Sequence, residues 1–161
     1  MRVKVRVAQL EDVPAIRQLV GQHWPADLDY RKEVKNSDVV FLVADAGSGS
    51  TRLGGSLLGV ALMRVTKWNR TGYLLEFAVD KAHKRMGIGS KMMKALARGA
   101  KERGLRAIIV ETQPDSKEAM DFYLGSGLRL CGYNDRYYTN KPMNSHQIAV
   151  FFSLDLEHGK A

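Results

Sequence analysis

The stretch Lys84-Arg-Met-Gly-Ile-Gly-Ser90 joins a predicted strand, Tyr73–Val79, to a predicted helix, Ser90–Arg103. Its two glycines allow a sharp turn and bring backbone N–H groups close to a ligand. The start of the helix adds unpaired N–H donors and a partial positive charge. The stretch therefore predicts an anion site that suits a pyrophosphate.

Two common phosphate-binding motifs do not match this stretch. The P-loop requires Gly-x-x-x-x-Gly-Lys followed by Ser or Thr, and the chain contains neither Gly-Lys-Ser nor Gly-Lys-Thr. The dinucleotide fingerprint requires Gly-x-Gly-x-x-Gly, but Met92 stands where the third glycine would follow Gly87 and Gly89. The anion site therefore belongs to another type of loop.

The spacing of apolar residues predicts the elements around the loop. Alternation over Arg2–Gln9 predicts a half-buried strand, and acids with Pro14 predict a helix that runs from Glu11 to about His23. The order βααβββαβαββ indicates one α+β domain, 1–161, with a mixed sheet. Further strands are predicted at Val39–Ala44, Leu57–Thr66, Ala107–Glu111, Leu128–Tyr133 and Ile148–Leu154, helices at Asp27–Lys35 and Lys117–Leu124, and connections at 47–55, 67–72 and 134–145.

The net charge of +8 is confined to one segment of the 161 residues. Residues 81–106 contain nine of the 25 basic and one of the 17 acidic residues, so the remaining 16 of each cancel. A local basic segment suggests a local anionic partner, which can be a phosphate, a nucleic acid or an anionic lipid.

The composition argues against several classes of protein. Hydrophobic residues make up 45% of the chain and charged residues 26%, as in ordinary globular domains. No apolar run approaches the ~20 residues of a membrane span, and Met1–Leu10 lacks the apolar segment of a signal peptide. Cys131 cannot form an internal disulfide, and we interpret it as a small buried hydrophobe. The four histidines lack metal-ligand spacing, so we expect no metal. Because nothing in the sequence points to secretion, we also expect a cytoplasmic protein.

Four segments carry a resemblance to a known family. In chain order they are Arg6–Asp12, Leu74–Asp80, Lys84-x-x-Gly87-x-Gly89, and Ala119–Tyr123 followed by Gly127-Leu128. They resemble the first strand and helix, the fourth strand, the Gln/Arg-x-x-Gly-x-Gly/Ala loop and the A-x-x-F-Y…G-F/L segment of the Gcn5-related N-acetyltransferase (GNAT) superfamily. Glu111-Thr-Gln113, Asp135–Asn140 and Ile148–Phe152 resemble streptothricin acetyltransferases within it. The resemblance implies the acyl-CoA N-acyltransferase fold, a mixed and mostly antiparallel sheet flanked by helices.

The resemblance also implies acetyl transfer from acetyl-CoA to a primary amine by direct attack in a ternary complex. Pantetheine would run along the strand at Phe77 and Val79, and Ser116 stands where the family commonly has an Asn that contacts pantetheine. The basic helix stripe Lys91, Lys94, Arg98 and Lys101 is either a solvated face or a contact for the coenzyme 3′-phosphate and adenine. The pyrophosphate would bind at Lys84, Arg85, Gly87, Ile88, Gly89 and Ser90.

Two residues are candidates for proton transfer. An amine with a pKa near ~10 is protonated at pH 7 and needs a base, and Glu76 is the one ionisable carboxylate in an otherwise apolar strand. Alternation places Glu76 on the face opposite Leu75, Phe77 and Val79, where it acts directly, through water, or is a plain exposed residue. Tyr123 matches the family tyrosine that reprotonates the CoA thiolate, and its alternative role is a core aromatic.

A cationic acceptor such as a streptothricin-like antibiotic would need acids at the cleft. The candidates are Asp29, Glu33, Glu111 and Asp135, with Trp24 and Tyr30 as aromatic faces for a cation. A solvated polar surface is the alternative for each acid.

Other functions remain open on the sequence alone. They are a protein lysine or N-terminal acetyltransferase, a CoA-binding module without catalysis, and a nucleic-acid binder that uses residues 81–106. The basic segment lacks the interleaved aromatics of a nucleic-acid stacking platform, so we expect no nucleic acid and no membrane as partner. Dimers are common among relatives, which makes a homodimer one expectation.

Overall fold

The computed structural model describes residues 2–47, 56–140 and 147–157, and there a seven-stranded sheet carries four α-helices. Parts of the predicted connections 47–55 and 134–145, together with both ends of the predicted domain, lie outside these ranges. The strands are β1 (Lys4–Val7), β2 (Val39–Asp45), β3 (Gly59–Thr66), β4 (Thr71–Val79), β5 (Ala107–Thr112), β6 (Arg129–Asn134) and β7 (Ala149–Asp155). The helices are α1 (Val13–Val20), α2 (Tyr30–Val34), α3 (Ile88–Glu102) and α4 (Lys117–Gly125).

The sheet is mixed and mostly antiparallel, as predicted. Its strand order is β1-β2-β3-β4-β5-β7-β6, and β4 with β5 is the parallel pair among these strands. Helices α1 and α2 cover one face, where Ile16 and Tyr30 are fully buried. Helices α3 and α4 cover the other face, where Met92, Leu96 and Tyr123 pack into a second core cluster. We call these the α1/α2 face and the α3/α4 face.

Strand β4 contains a β-bulge in its middle. Leu62 of β3 pairs with Glu76, and the next residue, Met63, pairs with Leu74. Leu75 therefore has no partner of its own in β3. Such an extra residue shifts the alternation of side chains between the two faces of a strand.

The bulge explains one wrong prediction about β4. Phe77 and Val79 pack on the α3/α4 face, but Leu75 packs on the α1/α2 face. Simple alternation placed all three residues together, because it did not include the extra residue. Glu76 does lie opposite Phe77 and Val79, since it bonds to Tyr30 of the α1/α2 face.

Strands β4 and β5 separate after a short stretch of pairing. They pair only from Thr71 to Tyr73 and from Ala107 to Ile109. β4 then continues to Val79 and β5 to Thr112 without further pairing between them. We call the resulting gap between the two strands the β4/β5 opening.

Three other predictions differ from the structure in detail. The first helix ends at Val20 rather than His23, and a 3-10 turn at Leu10–Asp12 precedes it. The helix predicted at Asp27–Lys35 is confined to Tyr30–Val34. Cys131 is exposed rather than buried, because β6 is the edge strand of the sheet and all its residues are exposed.

Candidate active site

A cavity of about 1040 Å³ lies between the far half of β4, the loop before α3 and the start of α4. This volume is at the upper end of the ~300–1,000 Å³ typical of small-molecule sites. All nine residues that the sequence predicted for the coenzyme line it, together with Tyr123. The nine are Phe77, Val79, Lys84, Arg85, Gly87, Ile88, Gly89, Ser90 and Ser116.

The loop before α3 lines the cavity and leads into the first turn of that helix. Arg85 and Gly87 both have left-handed backbone angles, with φ of 60° and 77°. Lys91 donates its backbone N–H to the carbonyl of Gly87 over 3.0 Å and closes the first turn of α3. Ile88, Gly89 and Ser90 lie in the first turn of α3, where backbone N–H groups have no intrahelical carbonyl to bond. Their N–H groups are therefore available to an anion.

The backbone of β4 also has free groups beside the cavity. Asp80 donates its N–H to the carbonyl of Leu58, next to β3. Because backbone groups alternate along a strand, those of Phe77 and Val79 point away from β3 and toward the β4/β5 opening. An extended ligand can therefore bond to β4 there as an added strand would.

His23 bonds to one of these backbone groups, a contact that no sequence pattern predicts. Its Nε2 lies 2.9 Å from the carbonyl oxygen of Val79, and since a carbonyl only accepts, Nε2 carries the proton. Burial lowers the pKa of His23, which favours the neutral ring. The histidine lies after α1 and lines the cavity.

Few of the basic residues of segment 81–106 reach the cavity. Lys84 and Arg85 line it, and Lys84 Nζ bonds to Glu118 Oε2 of α4 over 2.8 Å. The predicted basic stripe, Lys91, Lys94, Arg98 and Lys101, is exposed on α3 and does not line the cavity. The stripe is therefore exposed outside the cavity, and the basic side chains of this segment that line the cavity are those of Lys84 and Arg85.

Helix α4 contributes a hydroxyl at each of two positions. Ser116 immediately precedes the helix, and its side chain makes no capping hydrogen bond. Tyr123 is 7% exposed, with its ring packed between Phe122 at 5.6 Å and Phe152 at 5.7 Å. Burial raises the pKa of Tyr123, and the negative charge of Glu111 adds to the shift. The phenol therefore remains protonated at neutral pH and is able to donate a hydrogen bond.

Glu76 is enclosed behind the cavity wall. It is 4% exposed, and both of its oxygens accept a hydrogen bond, from Trp24 Nε1 over 2.7 Å and from the Tyr30 hydroxyl over 3.0 Å. Burial raises its pKa, although the two hydrogen bonds oppose the shift. Trp24 lines the cavity and Glu76 does not.

The four acids predicted for the acceptor are not brought together. Asp29 caps α2 by accepting the backbone N–H of Lys32, and Asp135 is exposed in the turn after β6. Glu33 is buried and pairs with Arg64 over 2.7 Å. Glu111 lies on β5 beyond the last residue paired with β4, and it accepts a hydrogen bond from Tyr73.

The described ranges contain no group of three or more His, Cys, Asp or Glu residues that is placed to hold a metal ion. None of the helices described here is long and apolar enough to cross a membrane.

Comparison with known proteins gives one family. The family model described as the acetyltransferase (GNAT) family matches residues 11–127. A stretch of 71 residues is 37% identical to N-alpha-acetyltransferase 30 of Schizosaccharomyces pombe and covers 43% of this chain. The match spans 46% of that relative, or about half of its length.

Two solved structures illustrate the similarity of fold. The Escherichia coli ribosomal-protein-S18-alanine N-acetyltransferase superimposes with a TM-score of 0.77 at 16% identity, over 99% of this chain and 97% of its own. A Bacillus anthracis protein provisionally named streptothricin acetyltransferase, solved with acetyl coenzyme A, superimposes with a TM-score of 0.76 at 18% identity, over 98% and 99%.

Proposed function

The chain belongs to the acetyltransferase (GNAT) family, and from this premise we propose that it transfers the acetyl group of acetyl-CoA directly to a primary amine. The observation that carries the proposal is a convergence in a single cavity. The glycine loop at the start of α3, the far half of β4 and Tyr123 of α4 all line it.

Acetyl-CoA is the donor in this proposal. Its pyrophosphate binds the backbone N–H groups at the start of α3, where the partial positive charge of the helix favours an anion. Its pantetheine arm bonds to the backbone of Phe77 and Val79, and the Ser116 hydroxyl contacts the arm from α4. The carbonyl of Val79 becomes available to pantetheine when a rotation of the His23 side chain breaks the hydrogen bond between them.

The reaction requires three proton movements and one exchange of bonds. The ammonium loses one proton before attack, the nitrogen loses a second proton to solvent after the C–N bond forms, and the thiolate gains one. The neutral amine attacks the thioester carbon, a C–N bond forms and the C–S bond breaks. A backbone N–H of β4 near Phe77 stabilises the oxyanion of the tetrahedral intermediate, and Tyr123 protonates the departing thiolate. A carboxylate accepts the proton of the amine, and Glu76 and Glu111 are the two candidates on the α1/α2 face.

The acceptor is a cationic primary amine, and two classes are consistent with the similarities found. A small streptothricin-like antibiotic is consistent with the short segments quoted from the sequence. A protein N-terminus is consistent with the match to a relative named N-alpha-acetyltransferase 30. Both classes present an ammonium group that has to lose a proton before attack.

A substrate panel tests the proposal. Thiol release from acetyl-CoA is measured with streptothricin, spermidine, an aminoglycoside, a lysine peptide and a peptide with a free N-terminus, while CoA binding is followed by calorimetry. We expect CoA binding and amine-dependent thiol release with at least one acceptor. Absence of CoA binding overturns the proposal. Tight, steeply salt-dependent binding of random DNA together with that absence points to a nucleic-acid binder instead.

A further inference from the structure

An exposed aromatic ring and several basic side chains lie at the end of β4 opposite the coenzyme cavity. Residues 67–70 connect β3 to β4, and we call them the 67–70 turn. Trp68 in this turn is 86% exposed. Strand β4 runs from Thr71 at the turn to Val79 beside the cavity, a distance of roughly 25 Å at ~3.3 Å per residue. The turn is therefore part of a separate surface, which the proposed acetyl transfer does not use.

Arg106, which immediately precedes β5, is bonded to the backbone of the 67–70 turn. It donates its backbone N–H to the carbonyl of Arg70 and its Nε to the carbonyl of Asn69, each over 2.8 Å. Arg70 in turn donates from Nη1 to the carbonyl of Gly104 over 3.3 Å. These bonds hold the turn against the segment that joins α3 to β5. Because a carbonyl carries no net charge, the bonds orient Arg106 without neutralising it.

A depression of about 310 Å³ lies beside the 67–70 turn. Its charged lining residues are Asp38, Lys67, Arg70 and Arg103. Asp38 pairs with Lys67 over 2.8 Å. Glu157, which does not line the depression, pairs with Arg70 over the same distance. All four paired side chains are about half exposed or more, so solvent weakens both ion pairs, and a phosphate can compete with the carboxylates.

Arg103 and Arg106 supply positive charge that no ion pair offsets. Arg103 lines the depression, and its Nη1 donates to the carbonyl of Ser37 over 2.7 Å. No carboxylate forms an ion pair with Arg103 or Arg106 within the part of the chain that the structure describes. Both residues are exposed, and the basic stripe of α3 ends at Lys101, two residues before Arg103. The stripe adds long-range attraction for an anion that approaches the depression.

The combination suits a single-stranded nucleic acid. Such a strand presents phosphates to cations and unpaired bases to aromatic rings. Trp68 offers a ring that is open to solvent, while Arg103 and Arg106 offer planar guanidinium groups that fit a phosphate. The sequence predicts no nucleic acid as partner because the basic segment 81–106 contains no Phe, Tyr or Trp. The fold supplies the missing aromatic residue from the 67–70 turn, next to the end of that segment.

We infer that the 67–70 turn, together with Arg103 and Arg106, is a docking surface for single-stranded nucleic acid. A base stacks on Trp68 and a phosphate binds at Arg103. An anionic membrane fits this surface less well, because insertion needs several apolar side chains at one level, and Trp68 is flanked in its turn by polar residues. The surface lies away from the coenzyme cavity, so the inference goes beyond the proposed function and does not depend on it.

Fluorescence anisotropy with labelled strands of about ten nucleotides tests the inference, since sites of this kind cover ~4–16 nucleotides. The probes are an oligouridine RNA, an oligothymidine DNA and a DNA duplex of the same length. The wild type is compared with Trp68→Ala and Arg103→Gln. Two controls, Tyr133→Ala and Lys4→Gln, change exposed residues of β6 and β1, away from the 67–70 turn. CoA binding is measured on the same samples.

We expect the wild type to bind both single strands more tightly than the duplex. Trp68→Ala should weaken this binding roughly tenfold, which is within the range for the loss of one stacking aromatic residue. Arg103→Gln should lower the magnitude of the slope of log affinity against log salt by about 0.7, the value for one phosphate contact on a single strand. Both controls should bind as the wild type does, and the CoA affinity of every variant should be unchanged.

Intrinsic fluorescence reports stacking on Trp68 directly. The chain has two tryptophans, so Trp24→Phe leaves Trp68 as the sole tryptophan emitter, and we expect a bound single strand to quench it. The inference is overturned if neither single strand binds, if Trp68→Ala binds as tightly as the wild type, or if the duplex binds equally well. Binding to vesicles of anionic lipid in place of the single strands also overturns it and identifies a membrane contact. None of these outcomes changes the CoA measurement, which tests the proposed function separately.

Discussion

The ring of Phe122 occupies the space that a side chain on Gly89 would need. A Cβ built on Gly89 would lie 3.0 Å from Cε2 and 3.2 Å from Cζ of Phe122. Phe122 also packs against Phe77 of β4, with ring centroids 5.2 Å apart. The second glycine of the loop is therefore required by the packing of α3 against α4, in addition to any contact of its N–H with an anion.

Gly89→Ala is expected to damage both stability and coenzyme binding. The new methyl group forces Phe122 to move, and overpacking of this kind costs about 1–3 kcal/mol of unfolding free energy. We expect the KM for acetyl-CoA to rise about tenfold, which corresponds to ~1.4 kcal/mol. Gly125→Ala is the matched control, because a Cβ there meets no atom within 4 Å. It should raise stability by about 0.4–1 kcal/mol and leave KM unchanged.

Tyr123→Phe is expected to slow turnover without weakening coenzyme binding. The substitution keeps the ring between Phe122 and Phe152 and removes the hydroxyl that we propose as the proton donor to the thiolate. Loss of a general acid costs roughly 10²–10⁴-fold in kcat, and calorimetry should show CoA affinity close to the wild type. Tyr133→Phe is the control, since Tyr133 is 75% exposed. A decrease in kcat below threefold for Tyr123→Phe would argue against the assigned role.

The local parts of the fold could be predicted from the sequence. The loop 84–90, the amphipathic α3 and the aromatic pair at the end of α4 are each encoded within one or two turns of chain, and all nine coenzyme candidates line one cavity. The type of sheet, mixed and mostly antiparallel, was also predicted. These features depend on short-range patterns of apolar residues and glycines.

The missed features depend on contacts between distant residues. The bulge at Leu75 arises from the register with β3 and has no local signal. The bonds from Trp24 and Tyr30 to Glu76 join residues 52 and 46 positions apart, so the enclosure of that carboxylate was not visible in the strand. Glu33 was a candidate acid for the acceptor cleft, with a solvated surface as the alternative, and its burial and ion pair with Arg64 of β3 had no local signal.

Glu76 should make stability depend on pH. Its pKa is raised in the folded state by burial, above the value of 4.5 expected for an unperturbed Glu. The unfolded chain therefore ionises first as pH rises, and the wild type loses stability from about pH 4.5 until the folded-state pKa is passed. Glu76→Gln lacks this loss. Urea unfolding from pH 4 to 8 should show that the unfolding free energy of the variant increases relative to that of the wild type as pH rises.

Glu102→Gln provides the reference for that measurement, because Glu102 is exposed at the end of α3. Its stability should run parallel to the wild type over the same pH range. If Glu76→Gln also runs parallel, burial does not perturb Glu76 in the folded protein.

Arg85→Gly is expected to weaken coenzyme binding with little change in stability. Arg85 has a φ of 60°, which glycine adopts without strain, so the unfolding free energy should stay within about 1 kcal/mol. The variant loses one exposed cation beside the anion site, which is worth about 0.2–1 kcal/mol or up to roughly fivefold in CoA affinity.

Arg70→Gly is the matched variant, because Arg70 has a φ of 53° in the turn between β3 and β4 and does not line the cavity. Its CoA affinity should equal that of the wild type. The difference between the two variants should decrease at high salt, and equal affinities in low salt would exclude Arg85 from the anion site.

In the proposed ternary complex, the β4/β5 opening gives the two substrates separate routes to the same point. The coenzyme would approach from the α3/α4 face and the amine from the opposite face, so neither would have to leave before the other binds. A single molecule that joins an amine to CoA through an acetyl bridge would occupy the coenzyme site and the amine site at the same time. Because the second contact is then intramolecular, such a hybrid inhibitor should bind far more tightly than CoA and compete with both substrates.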